Sequence, residues 1–138
     1  RWHQRAERLG IARVLTFVGP SDRVPEFHHA ADLLVHPTYY DPCSRVVLEG
    51  LAAGLPCITT RWDGASEMIV DGNNGFVLSD PDDVPAIADL VDRLRDGVLR
   101  RTMSESARTV RDRISMARHS AEMLKLYEEV ARSKEPRR

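Results

Sequence analysis

Asp41, Ser44 and Glu49 are the residues whose types and spacing could do chemistry together. Ser44 follows Asp41-Pro42-Cys43 and precedes a helical apolar pattern, which makes it a good N-cap. The first amides of such a helix lack internal acceptors and the helix dipole is positive there, so a phosphate would be well placed. Asp41 lies just before that start, and Glu49 lies about a turn and a half inside it. Ionised carboxylates only accept hydrogen bonds, so the pair would match the vicinal hydroxyls of a ribose or a hexose. Each has a structural use as well. Glu49 stands four residues after Arg45, the spacing of a helical ion pair, and Asp41 beside Pro42 suits a turn. The spacing alone leaves both uses open.

Such residues act only where secondary structure presents them. Residues 14–18 (Val-Leu-Thr-Phe-Val) are rich in strand formers and stop at Gly19-Pro20. Residues 24–31 read as a short helix with Pro25 in its first turn, and residues 33–36 as a buried strand ended by Pro37. The spacing predicts a helix over residues 44–53, with Gly54 as the residue that stops it, then a strand over 57–60. Residues 64–70 read as a short helix, and the turn-rich 71–75 lead into a strand at 76–78. Short apolar strands alternating with helices predict an α/β domain with a mainly parallel sheet. Ligands of such sheets bind beyond the carboxyl ends of the strands. That rule selects residues 19–23, 38–44 and 60–67. Helices follow: one from Asp83 with Val84, Ile87, Leu90, Val91 and Leu94 on a face, one over 100–113 with a thin apolar face, and one over 116–130.

Bulk properties bound the function. A chain of 138 residues with 42% apolar and 30% charged residues suits one soluble domain. We assign it to residues 1–132 and expect a disordered tail at 133–138. The net charge of −1 gives no field that would draw it to nucleic acid. No apolar run approaches the ~20 residues of a membrane span. Cys43 and Cys57 lack metal spacing and read as reduced thiols. His28-His29 reads as solvent-facing, and Asp80-Pro81-Asp82 opens a helix rather than holding a metal. Trp62 could flank a sugar pocket or simply pack.

The run from His36-Pro37 through Asp41-Pro42-Cys43-Ser44-Arg45, Glu49-Gly50 and Gly54-Leu55-Pro56 to Thr60 resembles the signature of family-four glycosyltransferases. The likeness continues upstream through Phe17-Val18-Gly19 and Ala31-Asp32-Leu33, and downstream through Glu67, Asp71-Gly72 and Asn74-Gly75-Phe76. Its wording around His36 is closest to the lipopolysaccharide-core glucosyltransferase branch.

The resemblance implies a Rossmann-like three-layer domain, the carboxyl-terminal, donor-binding half of a GT-B glycosyltransferase, truncated at its amino end. It implies retaining transfer of a hexose from a nucleoside diphosphate sugar, a UDP-sugar by expectation, to a glycan or lipid-linked acceptor, with no metal or other cofactor. By the same resemblance Asp41 is the catalytic residue and sugar contact, and Glu49 is the ribose contact. Cys43, Ser44 and Arg45 would face the diphosphate through their amides, while Gly19, Arg23 and Val24 would border the base. Asp41 stands where the pattern has Glu, and Ser44 where it favours Gly. The expected partners are the nucleotide-sugar and a missing amino-terminal acceptor domain, with no nucleic acid. The expected place is the cytoplasm, peripherally at the inner membrane face if the missing part binds there. The piece alone is expected to bind donor weakly and not to turn over. The competing expectation is a non-catalytic Rossmann-like binding module, or a partner subunit that has lost transferase activity.

Overall fold

The computed structural model describes residues 1–133. Its sheet has three parallel strands in the order β1 (Leu34–His36), β2 (Cys57–Thr60), β3 (Gly75–Leu78). The helices are α1 (Trp2–Arg8), α2 (Val24–Ala30), α3 (Arg45–Ala53), α4 (Val84–Arg93), α5 (Gly97–Arg108), α6 (Val110–Arg113) and α7 (Met116–Ser133). A 3-10 turn at Gly64–Met68 replaces the short helix expected there. Ser133, expected in the tail, instead closes α7, and the rest of that expectation, residues 134–138, lies outside the described residues.

The central strand β2 is buried along its whole length, and alternate side chains feed opposite faces. Cys57 joins Val47, Leu51, Ala65 and Val110 on the side of α3. Ile58 joins Phe76, Leu78 and Leu94 on the side of α4. Helix, sheet and helix therefore form three layers. Val47 and Leu51 are fully buried, and each such burial stabilises by about 1.5–3 kcal/mol. The apolar face of residues 97–113 is fuller than its sequence suggests: Met103, Ala107 and Val110 are all buried. Met103 packs on the α4 side and Ala107 on the α3 side, so α5 ties the two cores together.

The strand expected at residues 14–18 does not form. The backbone at Leu15 is extended, but a strand needs a neighbour to satisfy its amides and carbonyls, and β1 pairs only with β2. The segment instead lies beside α1, where Phe17 packs its ring 4.1 Å from that of His3. His28 also departs from expectation, being 7% exposed at the end of α2.

Burial gives the two cysteines different chemistry. Cys43 is exposed. The Cys57 thiol is pushed up to about 12 by burial first and the charge of Asp63 second. Below the ordinary value near 9 this group adds no pH dependence. As pH rises from there toward about 12, only the unfolded chain loses the proton, so stability falls. Wild type should therefore lose stability relative to Cys57→Ser over that window, by up to about 1.4 kcal/mol per pH unit. Denaturant titrations of both proteins at pH 8 and pH 10.5 check this, and an unchanged difference would refute it.

Candidate functional site

Helix α3 is delimited by its own sequence. Ser44 caps its start, although its hydroxyl is 3.5 Å from the Val47 amide and so only weakly engaged. Gly54 adopts φ 91°, a left-handed conformation that ends the helix. Leu55 then returns its amide to the Gly50 carbonyl at 2.8 Å. Pro37 has no amide to continue β1, so the chain leaves the sheet there and loops into α3. The amino end of α3 thus stands at the carboxyl end of a parallel strand.

That loop is stitched to the segment after β2. The Asp41 amide donates to the Trp62 carbonyl (3.1 Å), and the Gly64 amide donates back to the Asp41 carbonyl (2.9 Å). The Thr60 hydroxyl donates to the Thr38 carbonyl at 2.6 Å. At the centre is Asp63, 1% exposed. Its Oδ1 accepts the amides of Ser44 (3.1 Å) and Ala65 (2.9 Å), and its Oδ2 faces the Thr59 hydroxyl at 2.8 Å. Both amides belong to helix starts, where dipoles favour a carboxylate. The same Thr59 hydroxyl lies 2.9 Å from the His36 carbonyl. Asp63 therefore ties α3, β2 and the 3-10 turn into one frame.

The frame decides which amides a ligand can use. The Cys43 amide already donates to Asp41 Oδ1 (3.0 Å), and the Ser44 amide to Asp63. Those of Arg45 and Val46 take no acceptor among the described residues. Of the expected amide trio, Arg45 is the free one, and Val46 joins it.

The two expected carboxylates face different spaces. Asp41, about one-third exposed, has Oδ2 3.7 Å from His36 Nε2. Glu49 is about half exposed and lies 3.5 Å from Arg45, so the ion-pair spacing is realised at the weak limit of hydrogen bonding. It lines a cavity of about 260 Å³ with Pro25, His28, Ala52 and Arg111. A second cavity of about 500 Å³ runs from Glu49 to Ile114 and Met116. Asp41 lines neither. Arg111 is committed to the carboxyl end of α3, its guanidinium donating to the Ala52 carbonyl at 2.7 and 3.1 Å.

The segment expected at the base is only partly gathered in. Arg23 is exposed and paired with Glu26, and Gly19 stands in open space. Val24 is half-buried and directly precedes Pro25, which does border the Glu49 cavity. Trp62 is half exposed with the Arg61 guanidinium 4.6 Å above its ring. Among the described residues no three His, Cys, Asp or Glu side chains gather as for a metal ion, and no helix is long and apolar enough to cross a membrane.

Sequence reasoning passed over Asp63. Its one signal was an Asp directly before the short helical Gly-Ala-Ser-Glu pattern, an N-cap preference. Nothing in the sequence around His36 points to a role for its side chain.

Comparisons with known proteins agree with the fold. The family described as "Glycosyl transferases group 1" matches residues 1–110. The lipopolysaccharide glucosyltransferase WaaG of Escherichia coli K12 is 35% identical over 108 residues, which is 78% of this chain and 29% of that protein. Among solved structures, sucrose-phosphate synthase of Thermosynechococcus elongatus superposes with a TM-score of 0.88 at 25% identity, over 97% of this chain and 34% of its own. Anabaena Alr3699/HepE in complex with UDP-glucose superposes with a TM-score of 0.78 at 25% identity, over 90% and 35%. The chain spans between 22% and 30% of the length of the curated relatives it matches.

Proposed function

Since the chain belongs to the group 1 glycosyl transferases, we propose that it supplies the nucleotide-sugar-binding part of a hexosyltransferase, with the donor diphosphate at the amino end of α3. One observation carries the proposal: among the described residues the Arg45 and Val46 amides have no acceptor, and they stand beyond β1, about one helical turn from the Glu49 carboxylate. Glu49 then takes the ribose hydroxyls from the cavity it shares with Pro25. Asp41 meets the transferred sugar, and the start of α2 borders the base. A UDP-sugar is the donor class we favour, since the HepE relative was solved with UDP-glucose.

The chemistry follows from charge. As the bond from the anomeric carbon to the diphosphate breaks, negative charge grows on the leaving oxygens. Two pre-aimed amides and a helix dipole stabilise that charge without reorganising, so the mechanism we propose calls on no resident metal. We further propose retention at the anomeric carbon, to be read from the configuration of the product by NMR. The acceptor, a glycan or lipid-linked sugar, would be brought by the rest of the protein at the cytoplasmic membrane face. The piece described here would therefore bind donor without turning it over.

Glu49 gives the test. An ion-strengthened hydrogen bond contributes about 1.5–3 kcal/mol, and each 1.4 kcal/mol is about tenfold in affinity. Glu49→Ala in the full-length protein should weaken UDP-glucose binding about ten- to a hundredfold by calorimetric titration. Affinity equal to wild type would remove Glu49 from the site. A wild-type protein that binds no UDP-, GDP- or ADP-sugar would favour the non-catalytic partner instead.

A further inference from the structure

We propose that His36 is a positioning residue of the donor site, its Nε2–H fixing the direction of the Asp41 carboxylate that meets the sugar. The inference rests on the donor-site assignment above. Among the described residues, His36 Nε2 is the buried side-chain polar atom left without a hydrogen-bond partner. Such orphans are costly and uncommon, so a partner within short reach is informative. The carboxylate oxygen facing it is Asp41 Oδ2, at 3.7 Å, somewhat beyond the roughly 2.9 Å of a formed N–H···O bond.

Both members are held so that only a small motion closes that gap. His36 is the last residue of β1, in register with Thr59, whose hydroxyl also reaches the His36 carbonyl. Asp41 is pinned through its amide to Trp62, through its carbonyl to Gly64, and through Oδ1 to the Cys43 amide. One oxygen is thus fixed and the other faces an imidazole on a rigid strand end. A modest turn of the two side chains completes the bond. Each side chain is about one-third exposed, so the pair remains open to a ligand on one face. Donation from Nε2 fixes the imidazole tautomer, and the remaining carboxylate lone pairs are left to accept from a sugar hydroxyl. A shorter Asp arm, tethered in this way, presents its oxygens in one direction rather than sampling many.

Affinity for UDP-glucose relative to UDP isolates the sugar contact. In the full-length protein, His36→Leu should weaken UDP-glucose at least fivefold and leave UDP within twofold of wild type. His36→Gln, whose side-chain amide can stand in for Nε2–H, should recover most of that loss. In wild type the His36 Nε2 proton should give a protected NMR resonance, and Asp41→Ala should abolish it by exchange. Equal effects on UDP and UDP-glucose, or no effect on either, would overturn the pairing while leaving the donor site standing. If wild type binds neither ligand, the donor-site assignment falls and this inference falls with it. Should His36→Leu fail to fold by circular dichroism, His36→Asn, polar but too short to reach Asp41, replaces it with the same expected result.

Discussion

Asp63→Ala is expected to destabilise the protein by about 3 kcal/mol and Asp63→Asn by less than about 1 kcal/mol. Alanine leaves the Ser44 and Ala65 amides buried without an acceptor, since both now donate to Asp63 Oδ1. An unsatisfied buried donor costs about 1–3 kcal/mol, and two are created. Thr59 is spared, because its hydroxyl can still donate to the His36 carbonyl. Asparagine behaves differently. Its carbonyl oxygen keeps both amides, and its NH2 group can donate to the Thr59 oxygen while the Thr59 hydroxyl donates onward to His36. Every group in the chain then has a partner. Equilibrium urea denaturation of the three proteins measures both differences. Equal losses for alanine and asparagine would mean that the charge of Asp63, rather than its accepting oxygens, holds the frame.

Gly64→Ala should act on the same frame from the other side, lowering stability by about 1–3 kcal/mol and donor affinity at least tenfold. A β-carbon on Gly64 would lie 2.0 Å from the Pro42 carbonyl oxygen and 2.9 Å from its carbon. Both are backbone atoms, so no rotamer change relieves the overlap. Gly64 does not have positive φ, which leaves contact, and not backbone strain, as the cause. The loop from Asp41 to Ser44 must move away, and with it go the Asp41 carbonyl bond to Gly64 and the Ser44 amide bond to Asp63. Thermal denaturation and UDP-glucose titration of the full-length protein check the two parts. Wild-type values in both would mean that the loop does not lie against Gly64.

What could be read from the sequence was what short-range signals encode. Ser44, the apolar spacing of Val47 and Leu51, and Gly54 carry the start, inner face and end of α3 within one segment. Asp83 caps α4 in the same way, through the Ala86 amide. Three of the expected strands form, each flanked by breakers, and they pair in parallel, β1 and β2 across α3 and β2 and β3 across the 3-10 turn. The position of Glu49 on α3 was legible for the same reason.

Residues 14–18 mark the boundary. Their strand propensity is real, but a ladder needs a second strand, and no property of five residues can provide it. His28 reads as polar in a short helix, and only the packing of α2 on α3 buries it. Met103, Ala107 and Val110 look sparse in sequence, and become core because α5 reaches both clusters and α6 packs on the α3 side.

The site divides along the same line. By itself the sequence determined that a capped helix begins beside Asp41 and that Glu49 rides on it, since caps and helical spacing are local. Only the tertiary structure decided which amides stay free. Residue 63 comes from the far side of β2 to occupy the Ser44 amide, and His36 comes from the end of β1 to face Asp41. Hydrogen bonds between segments nineteen residues apart depend on where the sheet sets them, and sequence spacing does not record that distance.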